Sequence, residues 1–191
     1  MEFKPLDGLE EVILVTPDTR SDGSGRRVGL YSQAQYEEGG VAWRFARVEL
    51  ASSRRGVLRG LHYQHPHGQG VLLSVTRGEV WCVAVDVRSG SPTFGQWRGE
   101  LLSAENARQL WLPSTFACGW LVLSEEADLV SQRTDMDDAS SLRVLAWNDA
   151  ALGIAWPGID AGATPCVSPE DAAGRALAEL ESAGELPYFI G

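Results

Sequence analysis

The chain has 191 residues, 44% hydrophobic and 22% charged, a length and balance that suit one folded domain with a sizeable core. Its formal net charge of −10 sets up a field that repels nucleic acid and anionic lipid, and no apolar run is long enough to span a bilayer. The acidic start, MEFKPLDGLEE, lacks the basic-then-apolar layout of a signal peptide, so a cytoplasmic location is expected.

In chain order, Ile13-Leu14-Val15 reads as an early strand, and the polar stretch 17–27 (PDTRSDGSGRR) as a mobile loop. Ala42 to Leu50 alternates imperfectly and reads as a strand. Val71 to Val75, the turn Thr76-Arg77-Gly78 and Val80 to Val87 form a predicted hairpin. Further strands are predicted at 109–112, 120–123, 128–133 and 143–147. Near the end, Ser168 is a good N-cap, Pro169 a good first helical residue and Asp171 the third residue of a capping box, while Gly184 suits a helix stop. A helix over about 169–183 follows. Cys82, Cys118 and Cys166 are an odd number with no repeated spacing; buried free thiols are expected, with no disulfide framework and no zinc knuckle.

Closely spaced strands separated by turn signals predict an all-β fold, a sandwich or jelly roll, followed by a C-terminal helix. A single domain over 1–191 is expected, its core at about 40–160. Barrels of this type hold small ligands between inward-pointing side chains. Arg54, Arg55 and Arg59 are the best local basic cluster for an anionic one.

The segment Gly56-Val57-Leu58-Arg59-Gly60-Leu61-His62-Tyr63-Gln64 closely resembles the dTDP-4-dehydrorhamnose 3,5-epimerase family. The likeness continues through residues 77–80, 83–88 and 90–95, then 102–106, 109–113 and 147–149, and ends at 152–157 and 168–171. It implies a double-stranded β-helix of the cupin type, a homodimer sharing an edge strand, a small-molecule substrate, and no metal or cofactor. The reaction it implies is removal of a proton next to the ketone of a 4-keto-6-deoxy sugar nucleotide and its return on the other face. Such chemistry needs a base, a group that orients it, an acid and a stabiliser of the enolate. By resemblance His62 is the base, Asp171 its orienting carboxylate and Arg59 a phosphate ligand.

Several positions depart from the family pattern. The tyrosine acid falls at Ser131, the enolate-side lysine at Val71, a second histidine at Cys118 and a base-stacking aromatic at Asp137. The Gln-x-Asn stretch reads Arg47-Val48-Glu49. Cys118 is either a replacement proton donor or a small buried thiol that reshapes the cavity. Val71 and Ser131 together suggest a less charged, roomier cavity, with Trp111 and Trp120, and also Trp81, as candidates for its apolar lining. His65 and His67 have the spacing of a metal-binding pair, but the position four residues on is Val71, so no metal is expected. Two readings compete. The first is a divergent nucleotide-sugar epimerase or isomerase. The second is an epimerase-like scaffold recruited to cyclise or isomerise a polyketide-type intermediate, which needs shape and water exclusion more than acid–base groups. A third, non-enzymatic barrel would leave His62 with a packing role only.

Overall fold

A computed structural model describes residues 1–159 and 164–190. Its strands are β1 (Glu2–Leu6), β2 (Leu9–Thr16), β3 (Thr19–Asp22), β4 (Gly25–Val28), β5 (Arg47–Arg54), β6 (Leu58–Gln64) and β7 (Val71–Arg77). They continue with β8 (Glu79–Asp86), β9 (Trp97–Ser103), β10 (Gln109–Leu112), β11 (Phe116–Val122), β12 (Glu126–Arg133) and β13 (Leu142–Val144). Three short helices complete the fold, α1 (Gln33–Glu38), α2 (Pro169–Ala172) and α3 (Leu177–Ser182). A six-stranded antiparallel sheet in the order β1-β2-β10-β7-β12-β5 faces a five-stranded sheet in the order β13-β6-β11-β8-β9. This is the expected all-β jelly roll.

Three apolar clusters explain the sequence pattern. The inner one lies between the sheets and includes Leu73, Val80, Cys82, Ala84, Leu110, Phe116 and Leu129. A second covers the outer face of the five-stranded sheet, where Leu58, Leu61, Val83 and Val85 meet Leu177, Leu180 and Trp156. Burial on both faces is why β8 reads as a continuous apolar run and not as an alternation; each fully buried aliphatic side chain contributes about 1.5–3 kcal/mol. The third cluster, on the outer face of the six-stranded sheet, packs Tyr36 of α1 against Val15, Leu72 and Trp111.

Five expectations are corrected. Residues 19–28 are a β3–β4 hairpin, not a loop; β3 is exposed along its whole length, so no apolar alternation marks it. The core begins well before residue 40, because β1 and β2 belong to the six-stranded sheet. The strand placed at Ala42–Leu50 is Arg47–Arg54, and the one placed at 143–147 stops at Val144. The single helix over 169–183 is two helices. Between them the chain becomes extended and Arg175 bridges to Leu145, donating its N–H to the Val144 carbonyl at 3.0 Å and accepting from Ala146 N–H at 2.8 Å. Gly174 permits the approach: a Cβ there would lie 3.0 Å from Ala146 Cα.

Candidate active site

The site starts from an irregularity in β6. Against β11, Leu58 pairs with Leu121 and Arg59 with Trp120, but the next pair is His62 with Cys118. Three steps along β6 match two along β11, as in a β-bulge. Strict alternation would put Arg59 and His62 on opposite faces. The extra residue puts both on the inner face, beside Trp120 and Cys118, and turns Leu58 and Leu61 together into the outer cluster. Glycine is required here. Gly60 has φ 104°, and a Cβ on it would stand 2.6 Å from the Cys118 carbonyl oxygen and 2.8 Å from Gly119 Cα. A Cβ on Gly119 would stand 2.6 Å from the Arg59 carbonyl oxygen.

His62 is held from behind. Its Nε2 lies 2.5 Å from Asp171 Oδ1, and the other carboxylate oxygen accepts the Gly60 N–H at 3.2 Å. Asp171 sits in α2, whose N-cap Ser168 accepts the Asp171 N–H through its hydroxyl at 3.0 Å. The capping box is thus half made: the carboxylate turns to β6 instead of back to its own helix. Asp171 is only 4% exposed. Burial pushes its carboxyl up, but the hydrogen bond and charge of His62, the Gly60 N–H and the Ser168 hydroxyl outweigh burial and hold it below the ordinary carboxylate range. An ionised carboxylate only accepts, so Nε2 carries the proton and Nδ1 is the free, basic nitrogen.

In front of His62 lies a cavity of about 410 Å³. The five-stranded sheet supplies one wall, His62, Phe116, Cys118 and Trp120; β5, β12 and β7 supply the other. On that second wall the register sets two rows across three strands: Glu49–Ser131–Leu73 and Arg47–Arg133–Val71. Asp137 ion-pairs with both Arg47 and Arg133, and Arg47 also reaches Glu49 at 3.3 Å. The cavity is therefore not emptied of charge. The uncharged positions Val71 and Ser131 are flanked by the charges of Arg47, Glu49 and Asp137 and by Arg133, which the sequence did not point to as a site residue.

Of the residues expected at the site, His62, Cys118, Val71, Ser131 and Trp120 line the cavity, and Asp171 backs His62. Arg59 stands beside it, its Nε donating to Ser53 Oγ at 3.3 Å across the gap between the sheets. Trp111 is a correction. Alternation along β10 sends Leu110 and Leu112 into the inner cluster and Trp111 to the opposite face, where it is 3% exposed against Phe45 and Leu72. Trp81 also packs outside the inner cluster. Cys118 shares the His62 wall, and burial, partly offset by the Arg133 charge, pushes its thiol up to about 11. Cys82 is buried as well, but Cys166 is exposed, against expectation. His65 and His67 follow β6, and no three His, Cys, Asp or Glu side chains are placed to hold a metal among the described residues. Arg133 had one sequence signal: it stands two residues from Ser131 in a predicted strand and so shares its face.

Comparisons with known proteins agree with this geometry. The family model described as dTDP-4-dehydrorhamnose 3,5-epimerase matches residues 7–179. A dTDP-4-dehydrorhamnose 3,5-epimerase from Pseudomonas aeruginosa is 46% identical over 174 residues, 91% of this chain and 94% of that protein. A crystal structure of dTDP-6-deoxy-D-glucose-3,5-epimerase from Legionella pneumophila in complex with dTDP-4-keto-L-rhamnose superposes with a TM-score of 0.92 at 40% identity, covering 100% of this chain and 99% of that one. A 4-keto-6-deoxy sugar epimerase from the novobiocin biosynthetic gene cluster of Streptomyces spheroides superposes with a TM-score of 0.91 at 36% identity, covering 99% and 94%. The polyketide-cyclisation reading has no support among these relatives. By the extent of its family match, its identity to these epimerases and their shared jelly roll, the chain belongs to the dTDP-4-dehydrorhamnose 3,5-epimerase family of isomerases.

Proposed function

We propose that this protein is a nucleotide-sugar epimerase that moves a proton next to the carbonyl of a 4-keto-6-deoxy sugar nucleotide, with His62 as the base. The observation that carries the reading is the His62–Asp171 pair facing the cavity, with both carboxylate oxygens occupied. Asp171 presents Nδ1 as the proton acceptor and stabilises the imidazolium that forms, the logic of the acidic member of a hydrolase triad. The 3,5-epimerase relatives and the Legionella complex with dTDP-4-keto-L-rhamnose support this class of substrate. Trp120, Phe116 and Leu73 give the sugar an apolar floor. Arg59, outside the cavity lining but the cross-strand partner of Trp120, would meet a phosphate beside it.

Cys118 takes a shaping role in this reading. As the cross-strand partner of His62 it stands on the same wall, so it does not face the side of the sugar opposite the base. Its raised thiol stays neutral at physiological pH. In this reading solvent, not Cys118, returns the proton at a carbon that flanks the ketone. A cytoplasmic homodimer belongs to the same reading. β5 is a sheet edge, and within it Val48 and Leu50 are 62% and 59% exposed, an apolar margin that a second copy would cover.

The test is to incubate the protein with dTDP-linked 4-keto-6-deoxyglucose in deuterated buffer and weigh the recovered sugar. A gain of one deuterium at a carbon flanking the ketone is expected. No gain at any pH between 6 and 9, with dTDP itself not bound at micromolar concentration, would remove the reading.

A further inference from the structure

The charge that must develop in this reaction has a designated partner on the wall opposite the base. When His62 Nδ1 takes the proton, the C–H electron pair moves into the adjoining carbon–carbon bond and the carbonyl π pair moves onto oxygen. The oxyanion then needs hydrogen-bond donors or a cation in a water-poor site. Beside His62 the five-stranded wall lines the cavity with Tyr63, Gln64, Phe116, Cys118, Trp120 and Leu142, none a cation; Arg59, on the same face, lies outside the lining and bonds to Ser53. The cations of the facing wall are Arg47 and Arg133. Arg47 is committed at both ends, one Nη to Asp137 and the other to Glu49, and its side chain is 35% exposed. Arg133 is deeper, at 26%, and stands on the central strand of the three. Only its Nη1 is engaged, by Asp137; the rest of the fork has no hydrogen-bond partner among the described residues. Its charge reaches the base wall, where it opposes the rise of the Cys118 thiol, and Cys118 pairs directly with His62.

We propose that Arg133 is a catalytic residue that donates its unengaged N–H groups to the enolate oxygen, while Asp137 fixes the guanidinium in place and shares itself with Arg47. This assignment rests on the epimerase reading above. Val71, the row partner of Arg133 on β7, leaves the fork room to reach inward.

The experiment measures deuterium exchange and dTDP affinity for the wild type, His62→Asn, Arg133→Met, Arg133→Lys and the double variant Val71→Lys/Arg133→Met, each checked for its thermal midpoint. Removing one such donor typically costs about 10²–10³ in kcat. Arg133→Met is expected to lose at least about a hundredfold in kcat with dTDP affinity within about threefold of wild type, as transition-state stabilisation requires. Arg133→Lys keeps the charge without the fork and should recover part of the rate. A lysine at the neighbouring row position in the double variant should recover about tenfold over Arg133→Met. Exchange within threefold of wild type in Arg133→Met, or a rate loss matched by an equal loss of dTDP affinity, would overturn the assignment; the second result would make Arg133 a phosphate ligand. If the wild type exchanges and His62→Asn does not, such a result sinks the Arg133 assignment alone. If the wild type itself shows no exchange, the epimerase reading has failed and Arg133 loses its role with it.

Discussion

On the five-stranded wall, His62 reaches the cavity through a bulge that needs Gly60 and Gly119, with a buried carboxylate behind it. On the six-stranded wall, Arg47, Glu49, Ser131, Arg133 and Val71 sit in unbroken register, and their side chains meet mainly each other and Asp137. A residue on the first wall is bound by backbone geometry, while one on the second is bound only by the face it occupies. The second wall therefore accepts exchanges of size and charge that the first does not. The departures that the resemblance implies follow this division: Ser131, Val71, Asp137, Arg47 and Glu49 belong to the open wall. Cys118 is the exception, a change on the base wall that leaves the bulge intact. In the proposed reaction the base and its orienting carboxylate belong to one wall, and the groups that would meet the developing charge and the rest of the substrate belong to the other.

The comparison breaks most visibly if the bulge is not rigid. Gly60→Val adds a Cβ into the Cys118 carbonyl at a backbone angle that β-branched residues avoid. A loss of about 3 kcal/mol or more is expected, with His62 displaced. For a chain of this length that lowers the thermal midpoint by about 6–12 °C, readable by differential scanning fluorimetry. A midpoint within 2 °C of wild type would mean that the bulge adapts.

Asp171→Asn should have the next largest effect. An amide has one oxygen, while the Gly60 N–H and His62 Nε2–H both need an acceptor. If the oxygen stays with Gly60, the NH2 faces Nε2 and the histidine proton moves to Nδ1, the wrong nitrogen for a base. The rate is expected to fall by about 10²–10⁴, as in a triad with the wrong tautomer, with KM changed little. A smaller effect concerns stability. The Asp171 carboxyl is held below its ordinary value in the fold, so its ionised form stabilises the protein above about pH 4 and that contribution is lost as pH falls through the lowered value. Urea unfolding between pH 5 and pH 2 should show a steeper loss in wild type than in Asp171→Asn. Parallel curves would deny the carboxylate this role.

The base wall was reached in the sequence through resemblance: Arg59-Gly60-Leu61-His62 marked His62, but neither β6 nor its bulge was predicted. The helix start that delivers the carboxylate was legible locally, in Ser168-Pro169-Glu170-Asp171. The break between α2 and α3 was not legible. A Gly-Arg pair inside a helical pattern looks tolerable until the partner strand claims Arg175 by backbone hydrogen bonds. Trp111 was misplaced because a four-residue strand with both faces buried shows no alternation from which to assign its sides. The grouping of the open wall's charges was hidden for another reason. Arg47 joins Arg133 and Asp137 only through strand register and a long-range ion pair, which leave no pattern in one sequence, and Arg133 showed no more than its two-residue spacing from Ser131.

The most direct test of the central claim is the rate of deuterium entry beside the ketone in His62→Asn, at saturating dTDP-linked 4-keto-6-deoxyglucose, relative to wild type. A fall of about 10²–10⁴ with unchanged dTDP affinity is expected for the loss of a general base. Exchange at the wild-type rate would contradict the account, and would leave His62 as a residue that the fold retains for packing alone.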